Sequence, residues 1–171
     1  MPENKDVTVI RRAEAADLPR LAEAEQVCFG QEAWDAEGLE WLFNDLEVCF
    51  WLLEDEAGKL RSWVVWGKGT RSFQAADIPA FSGDLGNHRF IRVMSIATLP
   101  EFRGSGFARS LLVEGLEKAQ AEGYSGAVLE VRPRNFPARR LYESLGFYRV
   151  AVLPGWFQSP EEDGEIWVKQ F

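Results

Sequence analysis

Long apolar runs are missing from this chain. Nowhere do eighteen or more apolar residues follow one another, so no membrane-spanning helix is encoded. The opening MPENKDVTVIRR has no apolar stretch of the secretory kind, and the cytoplasm is the expected location. Cysteine is scarce: Cys28 and Cys49 are the only two in 171 residues and form no close pair, which excludes a disulfide framework. Histidine is scarcer. With His88 alone, in the polar stretch GDLGNHR, the sequence offers no cluster of metal ligands. A Ser-His-Asp or Cys-His centre would have to be built on His88, which reads better as a surface residue. Positive charge is also short, 19 Lys and Arg against 27 Asp and Glu, a formal net charge of −8. That argues against a nucleic-acid binder, which would show a basic face, and is compatible with a basic peptide or amine as substrate. Two common phosphate signatures are absent as well, since no Gly-Lys-Ser/Thr and no GxGxxG occurs.

What is present suits one globular domain over residues 1–171, with 46% hydrophobic and 27% charged residues and no internal repeat. Val7 to Ile10 reads as a first strand. Leu18, Leu21, Ala22 and Glu25 then recur at helical spacing until Gly30, and Ala36 to Phe43 reads as a short second helix. Val48 to Leu53 and Leu60 to Trp66 read as strands joined by the turn Asp55-Glu56-Ala57-Gly58. Gly67 to Arg89 has no period and is longer than ordinary hairpin connections. Phe90 to Thr98 returns to strand character. A helix from the Gly104–Gly106 turn to about Glu122, a strand Ala127 to Val131, a helix Phe136 to Leu145, and strands Phe147 to Leu153 and Ile166 to Phe171 complete the pattern. The alternation predicts an α/β or α+β fold with a central sheet.

Two features carry chemistry. The first is the stretch Leu99-Pro100-Glu101-Phe102-Arg103-Gly104-Ser105-Gly106-Phe107-Ala108 between a strand and a helix. Glycines let backbone approach a ligand closely, and the unpaired first N–H groups of a helix attract anions. A pyrophosphate fits such a place, with Arg103 as a fixed cation beside it; the plainer alternative is a tight turn and nothing more. The second is Glu130, a carboxylate inside the apolar strand Ala127-Val128-Leu129-Glu130-Val131. A charge there is costly unless it is paired, with Arg132 or another arginine, or faces a cavity as a general base whose pKa partial burial raises.

Arg103-Gly104-Ser105-Gly106-Phe107-Ala108 resembles the R/Q-x-x-G-x-G/A acyl-CoA signature of the GNAT N-acetyltransferases, and it follows the strand Ser95-Ile96-Ala97-Thr98 and Pro100 as in that family. Leu129-Glu130-Val131-Arg132, Asn135 and Leu141-Tyr142-Glu143-Ser144-Leu145-Gly146-Phe147 resemble the RimI type, the ribosomal-protein alanine N-acetyltransferases. The first half matches more loosely, through Glu25, Cys28-Phe29 and Trp34. The resemblance implies the GNAT fold, a mixed sheet of six to seven strands with about four helices. It also implies transfer of the acetyl group of acetyl-CoA to a primary amine, without a covalent enzyme intermediate. Glu130 would then be the base that takes the amine's proton, and Tyr142 the acid that protonates the leaving thiolate; a packed tyrosine is the competing reading. Ile96, Ala97 and Thr98 would hold the acetyl and pantetheine arm, and Arg103, Gly104, Ser105, Gly106, Phe107, Ala108 and Arg109 the phosphates. Asn135 would help to hold coenzyme A or cap a helix, or do both.

For the acceptor, the resemblance points to a protein N-terminus bound near Phe29, Trp34 and Trp156, with monomer or homodimer as the expected state and neither nucleic acid, membrane nor metal involved. An α-amine, with a reference pKa near 7.7–8.0, is more readily free at neutral pH than a lysine side chain. Glu32, Asp35 and Glu161 to Asp163 could receive a basic peptide or simply be a solvated surface. Three departures bear on the acceptor: Trp156-Phe157 where the family usually has a tyrosine-rich pair, the long 67–89 connection, and Leu99 in place of an aspartate. A small-molecule amine as acceptor and a non-catalytic acyl-CoA-binding regulator are the alternatives.

Overall fold

The computed structural model describes residues 7–68 and 89–171; His88 and nearly all of the 67–89 connection lie outside the described residues. In chain order the elements are β1 (Thr8–Arg12), α1 (Leu18–Phe29), α2 (Ala36–Phe43), β2 (Val48–Asp55), β3 (Leu60–Gly67), β4 (Phe90–Thr98), α3 (Phe107–Ala121), β5 (Gly126–Val131), α4 (Phe136–Ser144), β6 (Tyr148–Gln158) and β7 (Glu161–Gln170), with short 3-10 turns at Ala15–Asp17, Gly30–Glu32 and Pro100–Phe102. The strands form one mixed sheet in the order β1-β2-β3-β4-β5-β7-β6. This is the expected α/β class, with seven strands and four helices among the described residues. The chain divides into two compact units, one of residues up to Val65 with Ser95–Leu112, the other of Trp66–Met94 and Val113–Phe171.

In the first unit β1 pairs antiparallel with β2, from Thr8↔Asp55 to Arg12↔Trp51. The predicted turn after β2 forms because the Asp55 carboxylate accepts the N–H groups of Ala57 (3.0 Å) and Lys59 (2.8 Å). Pro19 sits in the first turn of α1, and Gly30 ends the helix at φ +56°. Asp35 caps α2 by accepting the Gly38 N–H at 2.8 Å. The apolar stripes of these helices supply Leu21, Leu39 and Leu42 to a core with Leu52, Leu53, Trp63 and Val64.

In the second unit β4 pairs parallel with β5, from Phe90↔Gly126 to Val93↔Leu129. A parallel pair needs a crossover, and α3 is its helix, so the glycine turn lies at the carboxyl end of β4. β7 pairs antiparallel with both β5 and β6. β6 runs on past the expected end at Leu153, so that Trp156-Phe157 lies in a strand, and β7 starts at Glu161, ahead of the expected Ile166. Pro154 and Gly155 hide this continuation in the sequence, because neither favours a strand. Pairing resumes after an irregularity between Leu153 and Phe157. Arg132 holds the end of the hairpin, donating to Glu162 at 3.1 Å with its guanidinium 4.2 Å from the centroid of the Phe157 ring.

Candidate active site

The glycine turn is built in the first unit from β4 outward. The Ala97 carbonyl accepts from the Ser62 hydroxyl at 2.7 Å, and the Leu99 N–H donates to the Arg61 carbonyl at 3.0 Å, which fixes the end of the strand. Pro100–Phe102 then turns once. Phe102 is held under the Arg61 guanidinium, 4.1 Å from the ring centroid. Arg103 donates from Nε to the Thr98 carbonyl at 3.2 Å, so its charge stays beside the turn. Gly104 and Gly106 both have φ +81°, a conformation that side-chain-bearing residues avoid. The first backbone bond into α3 described for this turn runs from the Ser110 N–H to the Gly106 carbonyl, 3.0 Å. Gly104, Ser105 and Gly106 lie exposed, and Phe107 and Ala108 are half-buried; the first N–H groups of a helix have no partner within the helix itself.

Glu130 and Arg92 face each other in the second unit. Arg92 Nε donates to Glu130 Oε2 at 3.1 Å, and Nη2 makes a short charged bond to Oε1. Of the two structural partners considered for Glu130, another arginine is the one found, while Arg132 turns to Glu162. Burial pushes the Glu130 carboxyl up from the ordinary range, and Arg92 pulls it back in part. Arg92 carried no signal of its own in the sequence beyond being a charge in an apolar strand. Only the parallel register, which puts it opposite Val128, aligns it with Glu130.

Tyr142 lies on the buried face of α4 and packs against Phe147 with ring centroids 5.8 Å apart. Burial pushes its phenol above the ordinary range. Asn135 caps α4 by accepting the Ala138 N–H at 3.2 Å. The turn residues, Phe29 and Trp34 belong to the first unit; Glu130, Asn135, Tyr142 and Trp156 belong to the second. Phe29 and Trp34 are half-buried, and Trp156 is exposed.

Glu25 is a second buried carboxylate. It sits on the apolar stripe of α1 and accepts the Trp63 indole N–H at 2.9 Å, with Ser95 Oγ at 3.4 Å. Burial raises its pKa against those bonds and one from the Trp34 N–H. An acid at the i+7 position of a helical stripe was the available signal. Cys28 donates weakly to the Thr98 carbonyl at 3.7 Å, and burial pushes its thiol up, against the effect of Arg103. No group of three or more His, Cys, Asp or Glu side chains suited to a metal occurs among the described residues.

A strand, a left-handed glycine turn and a crossover helix define the class, an α/β fold with the turn at a strand's carboxyl end. The chain belongs to the acetyltransferase (GNAT) family, whose model matches residues 16–147. It is 33% identical to the ribosomal protein bS18-alanine N-acetyltransferase of Haemophilus ducreyi over 73 residues, 43% of this chain and 50% of that protein. It is 34% identical to the mycothiol acetyltransferase of Thermobispora bispora over 124 residues, 71% of this chain and 38% of that protein. The match thus spans about half the length, or less, of these curated relatives. Among solved structures, the ribosomal-protein-S18-alanine N-acetyltransferase of Escherichia coli superposes with TM-score 0.76 at 21% identity, covering 96% of this chain and 94% of that one. Arabidopsis thaliana NAA60 in complex with acetyl-CoA gives TM-score 0.82 at 19% identity, covering 96% and 99%. These two likenesses establish the fold.

Proposed function

We propose that this protein transfers the acetyl group of acetyl-CoA to a primary amine by direct attack, with a peptide N-terminal α-amine as acceptor. The observation that carries the reading is the pair of left-handed, exposed glycines, Gly104 and Gly106, at the start of α3 beside Arg103. Such a cradle suits the diphosphate of coenzyme A, placed on a helix start with no Cβ in the way. Ile96 to Thr98 would hold the thioester arm. The amine nitrogen attacks the thioester carbonyl carbon and the carbon–sulfur bond breaks. Glu130 takes the proton released from the amine, and Tyr142 returns one to the sulfur. Glu130 suits a base because burial lifts its carboxyl toward the working range; Tyr142 suits an acid because a phenol, with a reference pKa near about 10, carries its proton at neutral pH. The two free thiols, Cys28 and Cys49, fit a reducing compartment, and the cytoplasm is the setting we assign.

The N-terminal acceptor is favoured by the relatives named for alanine and N-alpha acetylation. A small amine is the second reading, favoured because the match to mycothiol acetyltransferase covers the larger share of this chain. The test is thiol release from acetyl-CoA with three acceptors at equal concentration: peptides with free N-termini and no lysine, N-terminally blocked peptides with lysine, and small amines. Turnover on the first, with the acetyl group located on the α-nitrogen by mass spectrometry, is the expected result. Turnover only on small amines selects the second reading, and acetyl-CoA binding without turnover on any acceptor removes catalysis altogether.

A further inference from the structure

We propose that Arg92 is a positioning residue for the reaction: its guanidinium, reaching from β4, holds the Glu130 carboxylate of β5 in one orientation and in its ionised form. This rests on Glu130 being the base, and it adds a residue whose removal should leave that base present but mistuned.

The register makes the arrangement specific. Arg92 pairs with Val128, so Glu130, two residues further along β5, projects from the same face as Val128 and Arg92. Glu130 also pairs with Ile166 of β7, and Val128 with Val168. Val128, Ile166 and Val168 form one buried cluster, joined by Phe90, Val150, Ala151 and Leu153. The carboxylate therefore leaves β5 into an apolar face, where a lone charge is disfavoured and the group would hold its proton. A carboxyl that is protonated at neutral pH cannot accept the amine's proton.

The other charged groups on the surrounding strands are committed elsewhere. Arg132, just past the end of β5, donates to Glu162 and to the carbonyls of Ser159 and Pro160. On β7, Glu165 and Lys169 alternate with Ile166 and Val168 and so point to the opposite face; Glu165 accepts from Arg149 of β6 at 3.0 Å. Arg92 is thus the cation that faces Glu130 among the described residues. Arginine keeps its charge at any working pH, and its planar fork fixes the carboxylate through two donors. Two donors occupy two of the roughly four acceptor sites on a carboxylate, which leaves lone pairs for a proton. As a stabilising device the pair has little to recommend it, since well-packed apolar residues would serve this face as well or better. What it supplies is a fixed, ionised acceptor.

The test compares Arg92→Met, Arg92→Lys and Glu130→Gln in the full chain, read by the pH profile of kcat/KM and by titration of the Glu130 carboxyl carbon in 13C-glutamate-labelled protein. That signal is assigned as the one lost in Glu130→Gln. In Arg92→Met we expect the acid limb and the carbon titration to move up together by about one to three pH units, with the KM for acetyl-CoA unchanged. Arg92→Lys keeps the charge but not the fork; its limb should stay near the wild-type position while kcat falls. Should Arg92→Met not fold, Arg92→Gln is read in the same way. A limb and a carbon titration that stay in place in the neutral variant overturn the positioning role, while Glu130 remains the base. An acid limb that survives in Glu130→Gln instead overturns the base assignment.

Discussion

Trp66 fills the space beside Gly115. A Cβ built on that glycine would lie 2.6 Å from the indole Cε2, and nearer still to Cζ2. Glycine in mid-helix costs about 1 kcal/mol relative to alanine, so Gly115→Ala ought to stabilise α3. The close approach reverses the sign. We predict that Gly115→Ala destabilises the protein by about 1–3 kcal/mol, as overpacking does, measured as a lowered urea midpoint at unchanged m-value. The same substitution in a Trp66→Leu background should be neutral or stabilising, because the indole that it meets is gone.

Gly106 differs in kind, since a Cβ there meets nothing within 4 Å and the constraint is its φ of +81°. Gly106→Ala should therefore strain the turn by about 1–2 kcal/mol and move its amides. Calorimetry should find acetyl-CoA affinity lowered about tenfold or more, which is 1.4 kcal/mol, with the thermal midpoint lowered by only about 2–8 °C. Equal affinity in the variant would remove the glycine turn from coenzyme binding.

Glu130→Gln keeps size and removes the acceptor for the amine's proton. Turnover should fall about 10²- to 10⁴-fold, the usual contribution of a general base, with acetyl-CoA still bound. Unchanged turnover takes Glu130 out of the mechanism.

Tyr142→Phe leaves the packing against Phe147 intact and deletes the phenol proton. The fold should be kept by circular dichroism while steady-state turnover drops at least about tenfold. If the rate and its solvent isotope effect are both unchanged, a water or another group protonates the sulfur.

Acid sensitivity should trace to the cluster that ties β1 to β2 and α1. Arg11 donates to Asp17 at 2.8 Å and to Glu54 at 2.7 Å, and Arg20 bonds both carboxylates. The hydrogen bond from Arg11, helped by the Glu14 N–H and Arg20, holds Asp17 well below its ordinary range. A carboxyl whose folded pKa is lowered stabilises the fold above its unfolded value of about 3.9, and this stabilisation fades as pH falls toward the folded value. Urea denaturation should show wild-type stability dropping below about pH 4. In Asp17→Asn the stability should be lower at neutral pH, and its decline in acid shallower.

Much of this protein is local in origin and was therefore legible in the amino-acid order. The stripe of Leu18, Leu21 and Glu25, the Asp55–Gly58 turn, the Asn135 cap and Pro137 in the first turn of α4 each act within one element, and these elements fall close to where they were expected. The Arg103–Ala108 turn is local too, since two glycines at one spacing specify its backbone. The sequence alone thus determined the α/β class, the family and the candidate residues. Tertiary structure decided what those residues meet. That Glu130 pairs with Arg92 while Arg132 turns to Glu162 depends on strands brought side by side from 38 and 30 residues apart. That Gly115 must stay bare depends on where Trp66 comes to rest. The continuation of β6 past Leu153 depends on pairing with β7, against the weak strand propensity of Pro154 and Gly155. Propensity and capping act over a few neighbouring residues, whereas the partner of a buried charge is chosen by the register of the sheet.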